Sequence, residues 1–566
     1  MEKTSFELTN PQKSIWLIQQ FYEESTINSI AGYLRIHVPC DFVKLEEAFN
    51  LFVKNNDAFR IRIVLDENGP KQYMKEYTYQ RIPVIRIKEE KELDNLEQEF
   101  VKEPFSIIEK RLYNVKFVEL PKKEAVILLN LHHLISDAWT MIFCLNEVYK
   151  NYIELLDGKQ MSEFTENPSY TEFISAQKEY LETESFQKDK EFWEEKFQDL
   201  PDYISFKTED VSSIVSNRKG YTINEEIMKK INDLCVKHKL SVYVFFLSLY
   251  TVYFRNVFGS NYYTIGNPVL NRSNFRQKHT AGTFVSTEPF VVKVNDENTF
   301  LAHAQEIAKE QLVMYRHLKY PYDEIFEYVK HRHHTNNKLF DIIFSYQNAK
   351  ISMMDESQPI TAKWFPNYNQ VESLMVHMKD TENAGELTIY YDYLVNVLQP
   401  RQIEAMHESI LAMLEQVVEN IEIPLAKLEI VSDNEKEFLI NELNQTEKEY
   451  KKDSNLVKEF EKIVKKYPNK IAVSCKNESL TYEELNSRAN ALASKICNSN
   501  IQTDIIAFEM ARSVDMIVAI WGILKSGHTY MPIDPEYPEE RKKIMLDASR
   551  CTHTNYKQRT CRKNFI

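Results

Sequence analysis

The stretch Ala125-Val-Ile-Leu-Leu-Asn-Leu131 constrains the fold more than any other. It is a short, nearly continuous apolar run, as a strand buried on both faces requires. Immediately after it, Phe143, Leu145, Val148, Tyr149, Tyr152, Ile153 and Leu156 fall on one helical stripe, which Asp157-Gly158 stops. A buried strand handing over to an amphipathic helix predicts α/β layering. The junction is His132-His133-Leu-Ile-Ser-Asp137.

The flanking sequence has the same character. Asp41 to Val53 places Leu45, Ala48, Phe49, Phe52 and Val53 at helical spacing behind a cap at Asp41. Residues 33–38 and 59–65 alternate as strands, and Asp66-Glu-Asn-Gly69 reads as a hairpin turn. Farther on, helices are expected near 225–238, 241–257, 300–316 and 401–420, and strands near 284–294, 340–347 and 386–392. Val242 to Phe254 is the most apolar helical run, but it falls short of the roughly 20 residues a bilayer needs. It predicts a buried helix and no membrane span.

Composition narrows the function. A chain of 566 residues exceeds what one core supports. A net charge of −14 and a pI near 5.6 oppose attraction to nucleic acid or anionic lipid. The seven cysteines are odd in number and form no CxxC pair, and no signal sequence opens the chain, which predicts a reduced, cytoplasmic protein. The ten glycines make neither GxGxxG nor GxxxxGK[ST], so no dinucleotide fingerprint or phosphate loop is present.

A histidine at a strand end is a natural general acid or base. Taken alone, however, His132-His133 reads more readily as hydrogen-bonded core histidines. Its company changes that. HHLISDAWT resembles the HHxxxDG signature of chloramphenicol acetyltransferase-like enzymes and, above all, of the condensation domains of nonribosomal peptide synthetases. Further segments resemble that family's motifs in its order: Leu8-Thr-Asn-Pro-Gln12-Lys-Ser-Ile-Trp16, Asn56-Asp-Ala-Phe-Arg60-Ile-Arg62, Tyr170-Thr-Glu-Phe173, Ile265-Gly-Asn-Pro-Val-Leu-Asn-Arg272, Gly282-Thr-Phe-Val-Ser286-Thr287, His317-Leu-Lys-Tyr-Pro321-Tyr-Asp and Leu339-Phe-Asp-Ile-Ile-Phe-Ser-Tyr-Gln347-Asn348.

The resemblance implies two chloramphenicol-acetyltransferase-like lobes in a V, spanning 1–178 and 179–435, with a tunnel between them. The implied reaction is amide formation, the amine of an aminoacyl thioester attacking an acyl or peptidyl thioester. His133 is the implied catalytic residue, either accepting the amine's proton or aligning the amine, with His132 in support. Asp137 is implied to be structural, with Arg60 as the first expected partner and Arg62 the second. Trp139, Ser286, Thr287, Gln347 and Asn348 fall in the motifs and are expected along the tunnel. No bound cofactor is implied. The substrates would arrive on phosphopantetheine arms of carrier proteins, with other synthetase subunits as partners, or as acyl-CoA. The N-terminal motifs look closer to fatty-acyl initiating domains, with elongation from an upstream synthetase the competing placement. The family's glycine after the aspartate is Ala138 here, which questions activity if that position needs a positive φ. A reading of another class is a non-catalytic remnant that docks carrier proteins.

Residues 436–455 read as a linker, most polar over 443–455. Beyond it, Leu480-Thr-Tyr-Glu-Glu-Leu485 and Leu524-Lys-Ser-Gly527-His-Thr-Tyr-Met-Pro532-Ile-Asp534 are similar to the first two motifs of adenylation domains, over a partial subdomain at 456–549. No glycine follows Gly527, so adenylation is not expected. Residues 550–566 are basic and lack apolar periodicity, and read either as a truncated or frame-shifted end or as a disordered tail. His331-Arg-His333-His334 has no cysteine or carboxylate at ligand spacing and reads as a solvated turn in a polar loop, not a metal site.

Overall fold

A computed structural model describes residues 5–549, apart from 68, 210, 348–359, 381–384, 451, 500 and 502. Asn348 and the basic stretch 550–566 lie outside the described residues. The chain divides into two compact units, Met1–Glu442 and Leu443–Ile566.

The first unit is α/β, built on two mixed sheets. One runs, edge to edge, Ile360–Phe365, Ser29–Ile36, Ala125–His132, Tyr113–Glu119 and Val84–Arg86. Ala125–His132 is buried at every residue, flanked by antiparallel neighbours on both sides. The other sheet runs Ser286–Lys293, Tyr262–Val269, Ile342–Gln347, Leu374–Lys379, Leu387–Leu394 and Ser216–Ile223. Its middle pair, Ile342–Gln347 and Leu374–Lys379, is parallel. A small third sheet joins Phe6–Glu7, Gly69–Met74 and Ile61–Asp66.

Local signals placed these elements well. Asp41 caps the helix Phe42–Asn55 by accepting from the amides of Val43 and Lys44, and the helix buries the predicted stripe. Ser241 caps Val242–Phe258, whose residues 244–254 are all buried. That helix and Glu225–His238 meet at 101°, and among the described residues no single helix is long and apolar enough to cross a membrane.

Two segments depart from a division of the lobes at residue 178. Ile360–Phe365 pairs antiparallel with Ser29–Ile36 and so extends the first sheet. Ala281, Phe284 and Ile360 are buried with the side chains of the first core, among Leu129, Phe143 and Tyr170. Hydrophobic burial along this seam stabilises it at about 25 cal/mol per Å² of apolar surface removed from water. The linker also starts later than position 436: Asp433–Glu437 and Phe438–Glu442 are helical and belong to the first unit.

The histidine-rich stretch at 331–334 is not a loop. It is the last turn of the helix Tyr322–His333, closed by His334 in the left-handed conformation. Basic side chains suit a helix C-terminus, where the backbone carbonyls concentrate negative charge. His333 Nε2 lies 2.9 Å from the Phe197 carbonyl, and His331 lies beside Glu327.

The second unit pairs Ile471–Cys475 with Glu478–Thr481 antiparallel, and Ile505–Glu509 with Thr529–Ile533 parallel. Thr481 and Glu484 form a reciprocal capping box for Tyr482–Asn498, which explains the Leu-Thr-Tyr-Glu-Glu pattern.

Candidate active site

His132 and His133 sit where the buried strand ends, and the surroundings give them different work. The His132 ring is 1% exposed. Its Nδ1 accepts from the Leu134 amide at 3.1 Å, which leaves Nε2 to donate to Gln19 Oε1 at 3.2 Å. Burial and the neighbouring His133 lower its pKa to about 3, so the ring is neutral at physiological pH. His132 is thus a structural pin.

His133 is held by its backbone instead. Its amide donates to the Asn28 carbonyl at 2.7 Å, and its carbonyl accepts from the Thr283 hydroxyl. The ring is partly exposed, lines a cavity of about 1700 Å³, and has no hydrogen-bond partner at Nδ1. Burial lowers its pKa; Asp137 and the carbonyls of Ser136 and of His133 itself oppose that shift. Gln12 steadies the same loop, donating from Nε2 to the Leu134 carbonyl at 2.8 Å, while Thr9 and Gln12 form the capping box that starts the helix Asn10–Phe21.

Asp137 caps the helix Ala138–Leu156, accepting from the Thr140 amide at 2.8 Å. Its ion-pair partner is neither expected arginine. Arg60 donates to the Lys75 carbonyl at 3.3 Å, and Arg62 is buried in the small sheet, donating to its neighbour Ile61. The partner is Arg272, 0% exposed like Asp137, with Nη2 3.1 Å from Oδ2 and 3.2 Å from Oδ1. Arg272 also donates to Thr140 Oγ1 and to the carbonyls of Gln277, Thr280 and Gly282. The Phe284 amide adds a bond to Asp137 Oδ2 at 3.1 Å.

This latch explains three motifs at once. Gly282 has φ +145° and lies so close to the Tyr170 ring that a Cβ would collide with it. Its carbonyl and amide both bond the Thr140 hydroxyl, while the Tyr170 hydroxyl donates to the Thr283 carbonyl at 2.8 Å. Asp57, not the arginines that follow it, accepts from the Tyr170 amide and the Ser169 hydroxyl. Ala138 occupies the first helical position and has no positive φ, so its Cβ is accommodated.

Trp139, Ser286, Thr287 and Gln347 all line the cavity with His133. Trp139 Nε1 donates to the Lys278 carbonyl at 2.9 Å, tying the helix start to the short helix Phe275–Lys278 that follows Arg272. The wall formed by the second sheet carries groups that sequence reasoning passed over. Ser345 Oγ lies 2.6 Å from His377 Nδ1, and His377 Nε2 lies 3.4 Å from Asp392 Oδ2. Arg218 grips Asp392 with two bonds of 2.6 Å; burial opposes it, but these bonds and His377 hold the carboxyl well below the usual carboxylate range. Glu288, also on the cavity wall, is a buried carboxyl on the strand Ser286–Lys293.

The family described as Condensation domain matches residues 2–440, most of the chain. The chain belongs to the condensation-domain family. A second family, AMP-binding enzyme, matches residues 460–563. Surfactin synthase subunit 1 of Bacillus subtilis is 29% identical over 97% of this chain but only 16% of its own length. Gramicidin S synthase 2 of Brevibacillus brevis is 25% identical over 97% of the chain and 12% of its own length. The chain therefore spans only a small part of the length of these relatives. Among solved structures, a four-domain nonribosomal peptide synthetase bound to AMP and glycine aligns over 97% of the chain and 43% of that protein, with TM-score 0.75 and 18% identity. A mutant starter condensation domain of rhizomide synthetase in complex with C8-CoA aligns over 75% of the chain and 98% of that domain, with TM-score 0.66 and 17% identity. These likenesses show the condensation-domain fold.

Proposed function

We propose that this condensation domain forms an amide between an acyl or peptidyl thioester donor and the amine of an aminoacyl thioester. The observation that carries the reading is His133: its backbone is clamped between Asn28 and Thr283, and its ring lies on the wall of a cavity large enough for two substrates. The amine nitrogen bonds to the donor carbonyl carbon, the C–S bond breaks, and the products are an amide and a free thiol. With its proton on Nδ1, the neutral His133 ring keeps the Nε2 lone pair to align the amine or take its proton. Orienting both thioesters in one cavity supplies several kcal/mol of the barrier, up to about 10. Asp137 and Arg272 hold the loop that carries His133.

The substrates are proposed to arrive on phosphopantetheine arms of carrier proteins, or as acyl-CoA, in the cytoplasm. An initiating role with a fatty-acyl donor is supported by the likeness to a starter domain complexed with C8-CoA. No adenylation is proposed for this chain, because its last glycine is Gly527 and the phosphate-cradling motif is missing. ATP–pyrophosphate exchange tests that point. The main test is single-turnover amide formation from an acyl thioester and an aminoacyl-carrier, followed by mass spectrometry of the carrier. His133→Ala is expected to slow it by about 10²–10³-fold. Equal product from the variant, or none from the native protein with any donor class, sinks the reading.

A further inference from the structure

Glu288 stands on the strand Ser286–Lys293, is 1% exposed, and lines the cavity. Its Oε1 accepts from the Ser286 hydroxyl at 2.6 Å, and that hydroxyl is itself fixed by Asn271 Nδ2 at 2.9 Å. Its Oε2 is buried with no hydrogen-bond partner. An unserved carboxylate oxygen in a buried position is costly, and a polar atom of this kind calls for a donor from outside the protein. Asp323 is the charged group that adds to burial at Glu288. Glu288, Asp323 and Glu372 all act on the Tyr322 hydroxyl, and all four residues line the cavity. Lys13 faces Asp323 across this corner, so one of the three carboxylates has a partial counter-charge. Burial, with Asp323 adding to it against the Ser286 bond, pushes the Glu288 pKa up to about 7.

We propose that Glu288, backed by Asp323 and Glu372, receives a primary ammonium group borne by one of the two thioester substrates, making this corner of the cavity a cation-selecting subsite. A hydroxyl or a water would also satisfy Oε2, but an ammonium supplies both the donor and a positive charge beside three carboxylates, to which Lys13 adds only a partial counter-charge at Asp323. The ammonium is either the reacting α-amine or a basic side chain. The proposal rests on the condensation reading for the identity of the substrates, but binding tests it separately.

The probes are three non-reactive pantetheine amides: ornithinyl, norvalyl and N-acetylnorvalyl. Their affinities for the full chain and for Glu288→Gln are measured by calorimetry. A side-chain subsite predicts that ornithinyl binds about tenfold more tightly than norvalyl; an α-amine subsite predicts about tenfold between norvalyl and N-acetylnorvalyl. Either preference is expected to fall below about twofold in Glu288→Gln and by about two- to threefold in Asp323→Asn, the second variant covering the case in which the first fails to fold. Native affinities within twofold of one another, a preference that survives in Glu288→Gln (or, where that variant fails to fold, in Asp323→Asn), or no binding of the ornithinyl compound at millimolar concentration each overturns the subsite. Amide formation is assayed in the same preparations. Product without preference removes the subsite and leaves the condensation reading; preference without product does the reverse.

Discussion

Asp137 and Glu288 are both buried carboxylates on the wall of one cavity, and the protein treats them in opposite ways. Asp137 receives bonds from the Thr140 amide, the Phe284 amide and the Arg272 guanidinium, so its charge is paired and its lone pairs are filled. Glu288 receives one bond from Ser286 and keeps an unpartnered oxygen. The first arrangement fixes a loop; the second stores a binding demand. The role proposed for His133 gains from rigidity on one wall, and the proposed subsite requires the other wall to remain unsatisfied until something binds.

The contrast is broken most severely by opening the Asp137–Arg272 pair. Removing one partner leaves the other charge buried and uncompensated, which typically costs about 3–5 kcal/mol. Asp137→Ala and Arg272→Ala are each expected to destabilise the first unit by that amount, read from its denaturant unfolding curve, and to abolish amide formation. The double variant should cost less than the sum, since neither charge is then left alone. Single variants that lose under about 1 kcal/mol would show that the pair is ornamental.

A smaller effect, of opposite sign, is read at Glu288 by pH. The Glu288 pKa is raised from 4.5 to about 7, so the folded state holds its proton more tightly than the unfolded chain. Its contribution to stability is whole below about 4.5 and is lost as pH rises through 7. A shift of that size corresponds to about 3 kcal/mol at most. Glu288→Gln is therefore expected to be more stable than the native protein at pH 8, with the advantage fading toward pH 5. His132 works the other way: held near 3 against an ordinary 6.5, it contributes stability above 6.5 that is lost as pH falls toward 3. Unfolding curves at five pH values read both slopes. A flat difference between Glu288→Gln and native protein would mean that Oε2 is served by a partner already.

The legible part of this molecule was the local part. Apolar periodicity and capping residues are properties of a few consecutive positions, so Phe42–Asn55, Ala125–His132 and Ala138–Leu156 could be read within a residue or so. The ion pair could not, because Arg272 is 135 residues from Asp137 and nothing local ties them. A hint existed: Arg272 closely follows the mostly buried strand Tyr262–Val269, and an arginine drawn into a core needs a counter-charge. Arg60 and Arg62 were favoured by a motif, but Arg62 points into the small sheet and Arg60 meets the Lys75 carbonyl just past that sheet's central strand. The crossing strand Ile360–Phe365 was invisible for the same reason as the pair: its partner Ser29–Ile36 is more than 300 residues away.

The smallest test concerns Ala138, the position where this chain departs from its family. Asp137 has extended backbone angles and Ala138 begins a regular helix, so a glycine there gains no conformational freedom that the fold uses. Glycine in a helix is less favourable than alanine by about 0.5–1 kcal/mol, chiefly because the unfolded chain is freer. Ala138→Gly is therefore expected to destabilise the first unit by less than about 1 kcal/mol and to leave the rate of amide formation within about twofold, since the Asp137 cap and the Arg272 latch do not depend on the Cβ. Ala138 also lines the cavity, so its methyl group trims the space beside His133. A variant that instead accelerates amide formation tenfold would show that this methyl, and not the helix geometry, is what the family's glycine avoids, and would make Ala138 a brake on the wall that otherwise only holds His133 in place.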